Sequence, residues 1–237
     1  MNFIEHILEP DRLLLQWRSP DEAVRTRFVV GELFKRGGEV CFRYLVDSPD
    51  YIKAKNNGFE LYPAFKAKGT SEICSGVLDT FLRRLPPRSR GDFSKYLENY
   101  RIRKDASFSD FALLGYTGAR LPTDGFSLGN PFESARGEFE LLVEITGFRH
   151  MSQISADSLS VGMEATFIAD SDNEFDSNAI AILIDSVKVG YVPRVLLPSF
   201  SQWLNDGNVV AHVERLNGRP GNPIVYLFVR VNYSKAT

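Results

Sequence analysis

Six short apolar stretches dominate the second half of the sequence: FELLVEIT, EATFIAD, NAIAILID, VKVGYVP, NVVAHVERL and IVYLFVRV. Each is rich in β-branched and aromatic residues and is bounded by Gly, Pro, Asn, Asp or Ser, the pattern of strands separated by turns. Residues 196–204 alone read as a helix in this region. Many short strands with one helix leave open sheet edges unless the sheet curls onto itself, so the spacing predicts a small β-barrel over residues 138–237.

The preceding residues are patterned differently. Phe28, Val30 and Leu33 lead into Gly37-Gly38, and Val40, Phe42 and Tyr44 follow, which reads as a hairpin whose turn needs positive φ. Over 71–85 the spacing becomes helical, with Ile73, Val77, Leu78, Phe81 and Leu82 on one face and Pro86-Pro87 as the stop. Phe93, Tyr96, Leu97 and Tyr100 suggest a second helix, and Ser109-Asp110 caps a third that is expected to end at Gly115. The Gly- and Pro-bearing stretch 121–137 has neither periodicity and reads as the connection. An α+β chain is expected, with a β-sheet and helix module at 1–128, a linker at 129–137 and the barrel at 138–237. Each flank has apolar residues enough for a core, so the two should be separable.

A hydrophobic content of 43% with 24% charged residues excludes a disordered chain. No apolar run approaches the roughly 20 residues that cross a bilayer, and Glu5 and Glu9 stand where a secretion signal carries basic residues. No membrane association is expected, and the expected compartment is the cytoplasm. Cys41 and Cys74 lack metal-ligand spacing and are expected to be buried small apolar side chains rather than a disulfide framework. Residues 138–237 hold 12 acidic and 7 basic side chains. Any contact of the barrel with nucleic acid must therefore be a compact site, because a groove that tracks phosphates needs a basic stripe. The residues before 138 carry the cluster Arg83, Arg84, Arg88, Arg90, Arg101, Arg103 and Lys104, which reads either as a phosphate-binding face or as solvated surface.

The most informative segment is DNEFDSNAIAILIDSVKVGYVPR. A polar turn at 173–178 leads into one strand, Asp185-Ser186 makes a second turn, and VKVGYVPR returns antiparallel. Phe175 and Asp176 then stand at the mouth of the sheet, with Tyr191 and Arg194 returning toward the same rim. An aromatic ring, an acceptor carboxylate and an arginine at one rim are the parts of a single-strand site. Asp176 also reads as a turn cap for the Asn178 N–H, and Tyr191 as a gap-filling ring.

This segment, with TGFRH at 146–150, resembles the HIRAN family, whose signature pairs an Asp-x-Asn-Ala-Val type strand with a Gly-Tyr-Leu/Val-Pro-Arg strand. The resemblance covers about 138–232 and implies an OB-like barrel; in a member fused to fork-remodelling ATPases the barrel grips the 3′-hydroxyl end of single-stranded DNA. It places Arg149 at a phosphate contact, His150 and Phe175 at stacking positions, and Asp176 at the carboxylate that accepts the terminal hydroxyl. Tyr191 and Arg194 fall near phosphate-contacting positions. His150 and Phe175 replace the tyrosines usual there.

Residues 27–128 resemble the N-terminal subdomain of HipA-type toxin kinases, in RFVVGELFKRGGEVCFRYL, VLDTFLRRLPPRSR and FALLGYTG. No HRD-like loop, DFG-like metal site or P-loop lysine follows, so no kinase chemistry and no cofactor is expected. The two resemblances imply a DNA-binding protein without catalysis, with single-stranded DNA or DNA 3′ ends as partner, acting beside a toxin-antitoxin or phage-defence system. One alternative is an antitoxin-like module that docks a kinase or other protein partner. Another is a metal-dependent nuclease using Asp170, Asp172, Glu174 and Asp176, whose run lacks the glycine and closing glutamate of a calcium loop.

Overall fold

The hairpin forms around Gly37-Gly38, whose φ values are 58° and 85°, in a computed structural model that describes residues 1–21, 23–24, 26–151, 154–219 and 222–233. The first sheet contains β1 (Arg12–Arg18), β2 (Arg27–Arg36), β3 (Glu39–Tyr44) and β4 (Phe126–Gly129), in the order β3-β2-β1-β4. Helices α1 (Pro49–Asn56), α2 (Val77–Leu82), α3 (Phe93–Asn99) and α4 (Asp110–Thr117) follow or interrupt it. Its core holds Leu13, Leu15, Val30, Phe42, Phe81 and Leu114, all fully buried.

Several expectations for this region are corrected. Within the stretch read as a connection, β4 is buried at all four positions and pairs with β1, Leu15 opposite Leu128. Helix α2 starts only at Val77, because Ile73 instead exchanges two backbone hydrogen bonds with Phe42. Helix α4 runs through Gly115 to Thr117 and ends at Gly118, with φ 71°. Gly115 is small for packing: a Cβ there would meet Leu13 Cδ2 at 2.7 Å. Cys41 and Cys74 form a disulfide; the Phe42–Ile73 bridge sets these cysteines side by side.

The basic cluster is not uniformly surface: Arg84 and Arg101 are buried. The Arg84 side chain is 4% exposed and grips Asp124 with its two terminal guanidinium nitrogens, at 2.7 and 2.9 Å, while donating to the carbonyls of Ala119 and Phe126. Arg88 pairs with Asp110 and Arg90 with Asp92. Burial pulls the Asp124 carboxyl upward, but Arg84 outweighs it and holds the group below its ordinary range.

The second sheet contains β5 (Gly137–Glu144), β6 (Glu164–Ala169), β7 (Ile180–Ile184), β8 (Val187–Tyr191), β9 (Asn208–Arg219) and β10 (Asn222–Tyr233). Their order is β5-β10-β9-β6-β7-β8, and a backbone bridge between Thr146 and Tyr191 joins the two ends of this curled sheet. Helix α5 (Leu197–Asp206) buries Phe200 and Trp203, whose rings meet Phe167 and Phe139 at 4.7 and 5.1 Å between centroids.

The chain divides into two units, and they are not contiguous. One holds Glu9–Tyr96 and Ser107–Ser134; the other holds Met1–Leu8, Leu97–Ala106 and Ala135–Thr237. Segments expected in the first module thus belong with the curled sheet, and two buried carboxylates explain why. Glu140 Oε2 accepts the backbone N–H groups of Glu5 and His6 at 3.1 and 3.0 Å. Glu214 accepts from the Asn2 side chain at 2.7 Å and from Arg101 Nε at 2.5 Å. Arg101, with φ 60°, is itself buried, so it is a structural ion-pair partner and not part of a phosphate face. Burial raises the Glu214 carboxyl, but Asn2 and Arg101 together hold it below its ordinary value.

Three predictions follow from these contacts. Reducing the Cys41–Cys74 disulfide, which closes a loop with a sequence separation of 33, should destabilise its unit by about 2–4 kcal/mol, seen as a reductant-dependent denaturation midpoint that Cys74→Ser abolishes. Arg101→Ala strands the buried Glu214 carboxylate and should cost about 3–5 kcal/mol at neutral pH. Because the folded carboxyl is depressed, its contribution is present above the ordinary carboxylate range and is lost as pH falls through the folded value, so the gap from wild type should narrow in acid. A 135–237 fragment, which lacks the Glu5, His6, Asn2 and Arg101 partners of Glu140 and Glu214, should likewise unfold at lower denaturant than the full chain.

Candidate nucleic-acid interface

The β7–β8 hairpin turns at Asp185 and Ser186, both with positive φ (49° and 66°), which suits the right-handed twist of the flanking strands. Between β6 and β7 the polar loop is tied by its own side chains. Asn173 Oδ1 accepts the N–H groups of Phe175 and Asp176 at 3.0 and 3.1 Å, and Asp176 Oδ1 accepts that of Asn178 at 3.0 Å. The backbone closes with Asp170 N–H to Ala179 O at 2.8 Å. These bonds fix the loop while leaving the Phe175 ring 83% exposed at its tip.

Two of the expected site residues touch: Arg194 Nε donates to Asp176 Oδ2 at 2.9 Å. Asp176 is therefore both a turn cap and an ion-pair partner. Tyr191 is held elsewhere, its hydroxyl donating to Asp170 Oδ2 at 3.0 Å and accepting from Lys188 Nζ at 3.1 Å, with Lys188 and Asp170 3.3 Å apart. The hydroxyl of Tyr191 and the ammonium of Lys188 lower the Asp170 carboxyl, and Tyr191 and Asp170 in turn raise Lys188. Asn173 and Lys188 are absent from the residues selected by sequence, and Asp170 appears there only as a possible metal ligand. Asn173 carries a legible signal, an Asx turn two residues before Phe175.

Lys188 and Tyr191 share a face because β8 carries an extra residue. Ile182 pairs with Gly190 but Leu183 pairs with Lys188, so Val189 is bulged and the alternation shifts by one. Gly190, with φ 146°, sits where a Cβ would lie 2.5 Å from Ile145 Cγ2 and 2.6 Å from Thr146 O. That close approach allows Thr146 and Tyr191 to exchange two hydrogen bonds of 2.9 Å. A turn of 3₁₀ helix, Phe148–His150, follows directly, anchored by the buried Phe148. It presents Arg149 and His150 to solvent, with Arg149 donating to His150 Nε2 at 3.1 Å and to Asn222 Oδ1 at 3.4 Å. The bridge thus brings the Arg149 and His150 turn to Tyr191, while Phe175 stands apart at the loop tip.

The family model for the HIRAN domain matches residues 139–233. Those residues are a HIRAN domain. The chain is also similar to the crystal structure of the HIRAN domain of human HLTF, at 15% identity over 41% of this chain and 81% of that one, with a TM-score of 0.33. A protein from Lactobacillus plantarum is similar at 22% identity over 41% of this chain and 100% of that one, again with a TM-score of 0.33. No curated protein matches the chain. The curled sheet is the HIRAN fold, and the HipA resemblance of residues 27–128 rests on sequence alone.

Within the HIRAN domain the acidic run expected as a nuclease alternative has two members committed to cations, Asp170 to Lys188 and Asp176 to Arg194. A different group, His6, Glu138 and Glu140, brings donor atoms within 4.8 Å of one another. Arg230 Nε stands 3.5 Å from Glu140 Oε1 and 3.8 Å from Glu138 Oε1, so both carboxylates of this group are already paired with a cation. No helix among the described residues is long and apolar enough to cross a membrane.

Gly190→Ala should break the joint between the sheet ends, since its Cβ meets backbone as well as side chain. A loss of about 1–3 kcal/mol is expected, measured by denaturant unfolding, with faster amide exchange at Thr146 and Tyr191.

Proposed function

We propose that the HIRAN domain of this protein binds single-stranded DNA at its 3′ end, and that the protein does so without catalysis of its own. The HIRAN match supports DNA binding. The observation that carries the finer reading is the exposed ring of Phe175 next in sequence to Asp176, whose carboxylate pairs with Arg194 from the turn after β8. An aromatic ring at 83% exposure is a stacking platform for a terminal base. Arg194 supplies a phosphate contact, and Asp176, whose two oxygens each accept one bond, retains lone pairs for a terminal hydroxyl. The acid excess of this part of the chain fits a point-like grip on an end better than a long track.

In this reading Arg149 and His150 meet the strand one step further on, a phosphate and a base respectively, next to Tyr191. The N-terminal unit is assigned a protein-docking role by its HipA resemblance, which supports an accessory part in a toxin-antitoxin or phage-defence system.

Fluorescence anisotropy with oligonucleotides that differ only at the end tests this. A free 3′-hydroxyl should be preferred over a 3′-phosphate by about tenfold to a hundredfold, since a bond to a charged group is worth about 1.5–3 kcal/mol and the phosphate brings like charge to Asp176. Asp176→Asn should remove most of that preference, and Phe175→Ala should cost about 1–3 kcal/mol for either end. Equal affinity of the unmutated protein for the two ends would refute end recognition.

A further inference from the structure

The loop between β6 and β7 is held by two ion pairs of the same sense. Asp170 at its start meets Lys188 at 3.3 Å, and Asp176 toward its end meets Arg194 at 2.9 Å. In each, the carboxylate comes from the loop and the cation from β8 or the turn just after it. The Tyr191 hydroxyl is already engaged by both Asp170 and Lys188, so it has little to offer an incoming phosphate. The group at that corner able to neutralise one is the Lys188 ammonium, whose side chain is 43% exposed and lies 5.3 Å from the centre of the Tyr191 ring.

We propose that Lys188 is a further phosphate-contacting residue of the DNA site, occupied in the unbound protein by Asp170 acting as an internal phosphate mimic. This rests on the DNA-binding reading above. A half-exposed ammonium–carboxylate pair is weak and exchangeable. A nucleic-acid phosphate that takes the carboxylate's place adds the free energy of counterion release, which the internal pair does not have. The exchange does not free the loop, because Asp170 keeps the Tyr191 hydroxyl and its backbone bond to Ala179. Asp172 and Glu174, on the same loop, add to the like charge that a strand meets until it reaches the two cations.

The test is anisotropy with a 3′-hydroxyl single-stranded oligonucleotide between about 50 and 200 mM salt. Lys188→Gln keeps a donor for Tyr191; it should weaken binding by roughly three- to tenfold at the low end and make the slope of log K against log salt shallower by about 0.7. Its preference for hydroxyl over phosphate ends should be unchanged, because Lys188 does not pair with Asp176. Asp170→Asn keeps the Tyr191 acceptor and releases Lys188, so binding should tighten by about two- to fivefold; the double variant should show no such gain. Thermal melts equal to wild type establish that both variants are folded. Wild-type affinity and slope in Lys188→Gln, or no tightening in Asp170→Asn, would overturn the proposal while leaving end recognition intact. A wild-type protein that binds no oligonucleotide would remove the DNA-binding reading and this one together.

Discussion

The two hydrogen bonds between Thr146 and Tyr191 hold together both the curled sheet and its candidate site. They form because Gly190 has no side chain where Ile145 and Thr146 press closest. On one side the bridge continues into the turn that exposes Arg149 and His150; on the other, Tyr191 reaches through its hydroxyl to Asp170, where the loop of Phe175 and Asp176 begins. Closure of the sheet and assembly of the rim are thus one event. A site placed at such a joint inherits the rigidity of backbone pairing while its contacting side chains remain in solvent.

Charge is used in two ways in this chain, and burial separates them. Glu140, Glu214 and Arg84 are nearly fully buried, and each is surrounded by several partners drawn from distant sequence. Breaking one such pair leaves a stranded charge, so these contacts organise the fold and recruit residues 1–8 and 97–106 to the HIRAN unit. Lys188 and Arg194 are instead partly exposed and pair with a single loop. Pairs of that kind contribute little to stability and can be exchanged for a ligand.

The strands of the HIRAN domain were legible because each is a short run rich in β-branched and aromatic residues bounded by turn residues, and the hairpin because Gly37-Gly38 allows one reading. Strand β1 was not, since Leu13-Leu14-Leu15 runs without alternation; its partner β4 hid in a stretch whose Gly and Pro content reads as a connection. Arg84 and Arg101 look like surface in a run of arginines, and only long-range pairing with Asp124 and Glu214 shows them to be buried. Local pattern carries secondary structure; it does not carry the partner of a buried charge.

The same limit applied at the rim. Phe175, Asp176, Tyr191 and Arg194 could be named from their order along two strands, and Asp176 and Arg194 do meet. Strict alternation along β8 would put Lys188 and Tyr191, three residues apart, on opposite faces. The bulge at Val189 reverses that parity and sets the ammonium against the phenol. Nothing in VKVGY announces a bulge except Gly190, whose φ of 146° is visible only once Ile145 and Thr146 are packed against it. The composition of the rim therefore depends on a backbone irregularity that the closure of the sheet imposes, and it brings to the site a cation that alternation would have placed on the far side.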